Sequence, residues 1–354
     1  MQATSIAGPQ LMVGLVLAII VLIVLVLKTR IHALLALIIA ASISGLVGGM
    51  APDALVKSIT TGFGTTLSTI GLVIGFGVMM GRLLEVSGAA ERMAYSFVRW
   101  LGNKREEWAM MVTGYIVSVP IFCDSAFVIL NPLVRALSRN TGKSMLTLGI
   151  ALAGGLMLTH HAVPPTPGPL GIAGIFNIDV GLMMFWGVVF TLPATFVLVA
   201  YARFMGPRIE AMIAQSGQAP VDPAVAYREV LQRADEREAE LPPLWLSMLP
   251  ILLPILLIFA NTLVGVIAKL DAGSTLPQSL FGQAVAFLGN PVIAVGLGVI
   301  AALYGLVPRR PRDEVIAEME KGVESAGIIL LVTGAGGALG AVLRDSGAGQ
   351  YMGE

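Results

Sequence analysis

Long apolar stretches separated by short charged clusters are the dominant pattern of this 354-residue chain. A membrane-spanning helix needs about 20 mostly apolar residues, and seven stretches meet that requirement. The first has no basic segment before it and is followed almost at once by the second, so we interpret it as a retained helix and not as a signal peptide. The pattern predicts an all-α polytopic membrane protein with spans at 11–27, 32–50, 64–84, 181–203, 244–268, 284–307 and 323–343.

The composition excludes several classes of function. Hydrophobic residues make up 56% of the chain, charged residues only 12%, and the mean hydropathy is +0.85, which excludes a soluble domain. Lys plus Arg equals Asp plus Glu at 22 each, so no basic excess favours a nucleic-acid partner. The single cysteine, Cys123, excludes an intrachain disulfide, and three histidines are too few for dense metal ligation. We expect no metal and no other cofactor.

Basic residues predict the orientation in the bilayer, because cytoplasmic loops carry an excess of Lys and Arg. With the N-terminus outside, 19 of the 22 Lys and Arg residues fall on the cytoplasmic side. This count requires residues 106–138 to enter and leave the membrane by the same face, since basic residues flank them on both sides. The segment is therefore predicted to be a re-entrant hairpin.

An internal repeat relates the two halves of the chain. At an offset of 259 residues, 10 of 25 positions are identical between residues 71–95 and 330–354. The first half begins outside and the second begins inside, so we predict inverted repeats, as in secondary transporters. The predicted division is a first repeat at 1–206, a charged cytoplasmic linker at 207–243 and the start of a second repeat at 244–354. Equal halves would need about 100 further residues, so we expect the given sequence to be truncated.

Residues 118–127 interrupt an apolar region with a proline and polar side chains. Pro120 removes a backbone donor, and Asp124 and Ser125 can cap a returning helix that begins near Ala126. Non-helical backbone at membrane depth is tolerated only against protein or a water-filled cavity, and an intramembrane carboxylate is usually functional. The stretch predicts a hairpin tip that faces a substrate cavity. A straight helix with a proline kink and a paired Asp124 is the alternative.

Residues 159–169 form a second interruption, because four prolines within six residues cannot be helical. They predict a helix broken at mid-membrane within 144–179, whose second half begins near Leu170. The N-terminal amides of that second half suit an anion such as a carboxylate. A simple extracellular loop is the alternative, and two adjacent histidines without a nearby carboxylate are a weak metal signal. The polar groups at the break are Thr159, His160, His161 and Thr166.

The glycines at 71, 75, 77 and 81 lie two or four residues apart on one predicted helix. We interpret them as packing positions that allow a neighbouring backbone to approach closely.

Four stretches together resemble the gluconate permease family within the ion transporter superfamily: GFGVMMGRLLEVSGAAERMA, PIFCDSAFVILNPLV, THHAVPPTPGPLGIAGIFNIDVG and GAGGALGAVLRDSGAGQYM. The pattern His-x-x-x-Pro-Pro-x-Pro-Gly-Pro at 160–169 is specific. The resemblance implies proton-coupled carriers of sugar acids in the bacterial inner membrane, with two opposed re-entrant hairpins, homodimers and elevator-like motion. It implies gluconate, related aldonates or, in some branches, D-serine as substrate. We expect the given sequence to lack the second hairpin and the second broken helix of that family.

With this resemblance, both interruptions are predicted to contribute to one substrate site. The predicted substrate-binding residues are Asp124, Ser125, Thr159, His160 and Thr166. The candidates for carrying the coupling proton are Asp124, His160 and His161. We favour Asp124, because a protonated carboxyl can lie beside a substrate carboxylate without repulsion.

Two other classes of function remain as alternatives. A passive channel is disfavoured, because inverted repeats with broken helices favour alternating access. An intramembrane hydrolase that uses Asp124 and the histidines is disfavoured, because no nucleophile and base stand at a recognisable motif spacing. The chain is therefore expected to be a transporter and not an enzyme.

Overall fold

The computed structural model describes residues 8–101, 105–176, 178–215, 241–270 and 276–353. These residues form helices joined by turns, with no β-strand among them, so the all-α fold class is confirmed. The helices of this part are α1 (Gly8–Leu27), α2 (Ala33–Val47), α3 (Pro52–Val86), α4 (Ala89–Leu101), α5 (Glu106–Val117), α6 (Cys123–Thr141), α7 (Met145–Ala162), α8 (Pro167–Phe176), α9 (Val180–Gln215), α10 (Leu244–Leu270), α11 (Leu280–Leu288), α12 (Pro291–Gly305), α13 (Arg312–Asp345) and α14 (Ala348–Gly353).

Within the described ranges, six helical segments are long and apolar enough to cross a membrane. They are α1, α3, α7 together with α8, α9, α10 and α13. A seventh is counted if α11 and α12 are taken as one span. Helix α2 is apolar but has only 15 residues. The hydropathy pattern therefore predicts the membrane class correctly.

The predicted span at 284–307 is sharply bent. It consists of α11 and α12, which are bent by 69°. Gly289 ends α11, and the side chain of Asn290 accepts a hydrogen bond from the Val292 amide at 3.0 Å to begin α12. Pro291 occupies the first position of α12. A proline disfavours the continuation of a preceding helix but fits the start of the next one.

Several helices extend beyond the predicted spans. Helix α3 begins at Pro52 and α13 at Arg312, and both have acidic residues in their first turn. Acidic groups at a helix N-terminus interact favourably with the helix dipole. Hydropathy marks only the apolar part of such a helix, so it misses the polar start.

The predicted linker at 207–243 is partly helical. Helix α9 continues through Pro207 to Gln215. Residues 216–240 lie outside the described ranges, and residues 241–243 lead into α10.

Two compact units divide the described chain. Unit 1 takes its residues from Met1–Leu72, Gly171–Ile178 and Glu324–Glu354, and unit 2 takes its residues from Val73–Leu170 and Asp179–Val323. In unit 1, α3 and α13 run antiparallel and approach closely. A Cβ added to Gly62 would lie 2.7 Å from the carbonyl oxygen of Gly337, and Ser58 Oγ donates a hydrogen bond to Asp345 at 2.7 Å. Buried core residues of unit 1 include Ala41, Leu55 and Val342.

In unit 2, α5 and α7 lie side by side and run in the same direction. Gly114 of α5 and Gly155 of α7 each lie against the backbone of the other helix, with no room for a Cβ. Nearer the C-terminal ends, Ser118 donates its hydroxyl to the carbonyl oxygen of Leu156 at 2.8 Å. Both helices therefore end next to each other, at the two interruptions of the apolar sequence. Buried core residues of unit 2 include Val163, Met184, Ile258 and Ala294.

The positions that are alike in sequence also share a local conformation. Gly88 after α3 and Gly347 after α13 have φ angles of 77° and 84°, in the left-handed region that favours glycine. The amide of Ser87 bonds to the carbonyl of Leu83 at 3.1 Å, and the amide of Ser346 bonds to that of Val342 at 2.9 Å. These pairs are related by the same offset of 259 residues. The similarity supports a repeat, and its inverted topology stays a prediction.

Candidate functional site

The two interruptions meet at one cleft in unit 2. Residues 118–122 connect α5 to α6, and residues 163–166 connect α7 to α8. The cleft is narrow: its empty space of about 280 Å³ includes open solvent, and the part that the centre of a water molecule can reach is about 20 Å³. Its lining residues are Ile74, Gly77, Val78, Val119, Pro120, Ile121, Phe122, His160, Pro165, Thr166 and Pro167. Segments far apart in sequence thus contribute to a single surface that is mostly apolar and carries two polar side chains.

Gly81 of α3 allows the first turn to pack against this helix. A Cβ at position 81 would overlap the carbonyl oxygen of Pro120 and lie 3.4 Å from Ile121 Cα. The packing interpretation holds for this glycine but is wrong for Gly71, Gly75 and Gly77. A Cβ at those three positions would meet no atom within 4 Å in the described part of the chain, so the spacing alone did not identify contacts.

The helix after the first turn begins earlier than predicted. Helix α6 starts at Cys123, and its N-cap is Phe122, which makes no side-chain capping hydrogen bond. The predicted start near Ala126 and the capping by Asp124 and Ser125 are therefore wrong, because both polar residues lie inside the first helical turn. Asp124 is exposed and accepts a weak hydrogen bond from Cys123 Sγ at 3.5 Å, and Ser125 is half-buried. Neither residue lines the cleft.

The second interruption is shorter than the sequence suggested. Helix α7 continues through Ala162, and α8 begins at Pro167, before the predicted Leu170. Pro167 and Pro169 fit the first turn of α8, because prolines there remove only amides that lack a helical partner. The histidines consequently lie in the last turn of α7 and not within the break.

The predicted polar residues of this break lie in different environments. Thr159 is fully buried and donates its hydroxyl to the carbonyl oxygen of Tyr115 at 2.7 Å, so it ties α7 to α5. Thr166 lines the cleft and donates its hydroxyl to Val163 at 2.7 Å. His161 is exposed, and its Nδ1 lies 2.9 Å from the carbonyl oxygen of Met157. Two of the five predicted binding residues, His160 and Thr166, line the cleft.

His160 differs from His161, whose Nδ1 lies within hydrogen-bond distance of the Met157 carbonyl oxygen. The Nδ1 of His160 is buried and has no hydrogen-bond partner among the described residues. Its imidazole contacts two aromatic rings edge to face, with centroids 6.0 Å away at Phe122 and 5.5 Å away at His161. An imidazole nitrogen can donate or accept a hydrogen bond, so this buried atom next to the cleft keeps an unused hydrogen-bonding capacity. In the described part of the chain, no group of three His, Cys, Asp or Glu residues is arranged to hold a metal ion.

A buried ion cluster lies at the other end of α5 and was not found in the sequence. Lys143, in the turn between α6 and α7, has its Nζ 2.7 Å from a carboxylate oxygen of Glu106 and 2.7 Å from one of Glu107. Arg203 of α9 lies 3.5 Å from Glu107. Burial would raise the pKa of Glu107, but the hydrogen bond from Lys143 and the two positive charges outweigh it and hold that pKa below its usual value. The cluster joins the start of α5 to the end of α6.

Hydroxyl groups also join α5 to α9 and were missed by the sequence analysis. Tyr115 Oη lies 2.6 Å from Thr191 Oγ1, and Thr191 in turn donates to the carbonyl oxygen of Gly187 at 2.7 Å. Since the Thr191 proton is used in this way, Tyr115 is the donor in the first bond. No local motif distinguishes these residues from ordinary helix positions.

Comparison with known proteins identifies the family. A family model described as GntP family permease matches residues 10–354. An uncharacterized permease of Haemophilus influenzae is 52% identical over 351 residues, which are 98% of this chain and 70% of that protein. A gluconate permease of Pseudomonas aeruginosa is 32% identical over 346 residues, 97% of this chain and 73% of that protein. The D-serine transporter DsdX of Escherichia coli K12 is 32% identical over 337 residues, 94% of this chain and 71% of that protein.

These matches confirm the resemblance found in the sequence. The permease family and the six long apolar helices of the described part indicate a multi-pass protein of the bacterial inner membrane that is a transporter and not an enzyme. Over nearly its whole length, the chain belongs to the GntP family of permeases.

Proposed function

We propose that this protein takes up gluconate or a related sugar acid together with a proton, by alternating access, and that the cleft at the two interruptions binds the substrate. The observation that carries the proposal is the convergence of two helix starts on a cleft that contains His160. Phe122, at the start of α6, and Pro167, at the start of α8, both line the cleft.

Helix starts favour a negatively charged ligand. The unpaired amides and the dipole of a helix give its N-terminus about half a positive charge. The start of α6 therefore suits a carboxylate, whereas the start of α8 contributes its dipole and the single amide of Gly168, because Pro167 and Pro169 have no N–H. The same place also contains the C-terminal ends of α5 and α7, whose carbonyl groups accept hydrogen bonds from donors such as the hydroxyls of a polyol.

The polar side chains of the cleft match this kind of ligand. His160 Nδ1 can donate a hydrogen bond to a carboxylate, and Thr166 keeps acceptor capacity after donating its own proton to Val163. Asp124 and Ser125 follow Phe122 by two and three residues, and we propose that they reach the substrate at the rim of the cleft. In addition to its predicted role in binding, we propose that Thr159 stabilises the site by joining α7 to α5 through its hydrogen bond to Tyr115.

Asp124 is the proposed carrier of the coupling proton. It is exposed in the first turn of α6 and follows the cleft residue Phe122 by two positions. A protonated Asp124 would remove the repulsion between its own carboxylate and that of an arriving substrate. His160 and His161 are the alternative carriers.

The names of the relatives guide the choice of substrate. The relatives include a gluconate permease and a D-serine transporter, and both of these compounds combine a carboxylate with a hydroxyl group. We propose gluconate first, with D-serine as the alternative. A homodimer is proposed on the resemblance alone, as are the re-entrant insertion of α5 and α6 and the elevator-like motion.

The single cysteine of the chain allows a direct test of the site. Cys123 is partly exposed and directly follows the cleft residue Phe122. We expect gluconate to slow the alkylation of Cys123 by N-ethylmaleimide in purified protein, whereas glucose, which lacks the carboxylate, does not. The matched control is Cys123→Ser combined with Val128→Cys, which places the thiol at an exposed position of α6 outside the cleft. Equal labelling of Cys123 with and without gluconate and D-serine would contradict this location.

Transport itself is tested in proteoliposomes. We expect labelled gluconate to accumulate against its concentration gradient when a pH gradient is imposed, acid outside. Uptake that only equilibrates the substrate and does not respond to the pH gradient would favour the passive channel.

A further inference from the structure

Phe122 occupies a special position at the cleft. Phe122 is the last non-helical residue before α6, with φ −59° and ψ 138°, and it lines the cleft. It carries the only benzene ring among the described residues of the lining.

The ring of Phe122 packs against His160. The two ring centroids are 6.0 Å apart and the ring planes meet at 70°, which is the edge-to-face geometry that aromatic pairs prefer. His161 contacts the same imidazole, with centroids 5.5 Å apart at 74°. His161 is itself held by its Nδ1, 2.9 Å from the Met157 carbonyl oxygen. His160 Nδ1 has no such partner in the described chain, so packing against the two rings restrains the orientation of its imidazole.

We propose that Phe122 is a positioning residue for substrate binding, because its ring holds the His160 imidazole in the orientation that leaves Nδ1 free for the substrate. The inference rests on the proposed function of the cleft. An apolar ring beside the imidazole also excludes water, and a hydrogen bond to a carboxylate is stronger where water is excluded. Phe122 thus acts on the substrate through His160 and not through a polar contact of its own.

The test is a double-mutant cycle in gluconate counterflow. Replacing the ring in Phe122→Ala removes the edge-to-face pair, and we expect KM to rise about 3- to 10-fold, with a smaller change in the maximal rate. Phe122→Leu removes the aromatic ring but keeps most of the side-chain volume, so it is less prone to a folding defect. It should also raise KM. Phe122→Tyr keeps the aromatic edge and should restore the KM of the unmodified protein. Phe127→Ala is the matched control, since Phe127 is a half-buried phenylalanine of α6 outside the cleft lining, and it should leave KM unchanged.

The second arm repeats the change in a protein without the imidazole. If Phe122 acts through His160, Phe122→Ala should raise KM no further in the His160→Asn background, because residues that act through one another are not additive. Equal increases in both backgrounds, or an unchanged KM in Phe122→Ala, would overturn the inference while leaving the substrate site in place. If His160→Asn itself leaves KM unchanged and gluconate fails to protect Cys123, the proposed site is rejected and the role of Phe122 with it.

Discussion

The close approach of α3 to the first turn gives the sharpest prediction. Gly81 lies so near the backbone of Pro120 that an added Cβ would overlap its carbonyl oxygen, and the carbonyl carbon would be 3.2 Å away. Backbone atoms of a turn cannot rotate away as a flexible side chain can. The variant Gly81→Ala must therefore displace the turn at 118–122, which contributes four residues to the cleft.

The size of the effect follows from two opposing contributions. An alanine in a helix is more favourable than a glycine by about 0.8 to 1 kcal/mol, whereas forcing an extra methyl group into a packed contact costs about 1 to 3 kcal/mol. Gly75→Ala on the same helix gains the first contribution without the second, because its Cβ would meet no described atom within 4 Å. The free energy of unfolding of Gly81→Ala should therefore be about 1 to 3 kcal/mol lower than that of Gly75→Ala.

The comparison needs the two variants and the unmodified protein in one assay. Titration with sodium dodecyl sulfate, followed by the fluorescence of the four tryptophans, measures the relative stability. The labelling of Cys123 in the presence of gluconate reports on the cleft, and we expect weaker protection in Gly81→Ala and full protection in Gly75→Ala. Equal stability of the two variants, together with equal protection, would refute the close contact at position 81.

Three further predictions concern coupling, substrate binding and the ion cluster. Asp124→Asn should abolish pH-driven accumulation of gluconate in proteoliposomes and preserve gluconate exchange; full accumulation would assign the proton to His160 or His161. Thr166→Val should weaken gluconate binding about fivefold, which is the effect of losing one hydrogen bond of about 1 kcal/mol. Isothermal titration calorimetry measures this affinity, and an unchanged value would show that Thr166 does not bind the substrate. Lys143→Met should lower the stability by about 3 kcal/mol, because it removes the cation that two buried carboxylates share, while Arg203 stays at 3.5 Å from Glu107. Lys321→Met, at a more exposed pair, should change it by less than about 0.5 kcal/mol in the same detergent titration. Since the pKa of Glu107 is lowered in the folded protein, its contribution to stability should be present at neutral pH and be lost as the pH falls through that lowered pKa. In Glu107→Gln, the free energy of unfolding should therefore depend less on pH in this acidic range.

The sequence by itself determined the membrane class, the helices and the family. Transfer of apolar side chains into a bilayer depends on composition over about 20 residues, so a run such as 11–27 identifies a helix without knowledge of its neighbours. Prolines clustered with polar residues likewise indicated the interruptions within 118–127 and 159–169, which the structure places at 118–122 and 163–166. The motifs of these stretches were sufficient for the family, which the comparisons confirm.

Only the tertiary structure decided which side chains face the cleft. Thr159 and His160 are neighbours in sequence, but successive residues of a helix point about 100° apart, so one bonds to α5 and the other lines the cleft. The contact of Gly81 with the first turn and the ring of Phe122 on His160 depend on segments that meet across long stretches of chain. A sequence pattern records the preference of each segment for helix, turn or bilayer. Packing between segments decides which of their atoms meet, and for that reason the site needed the folded structure.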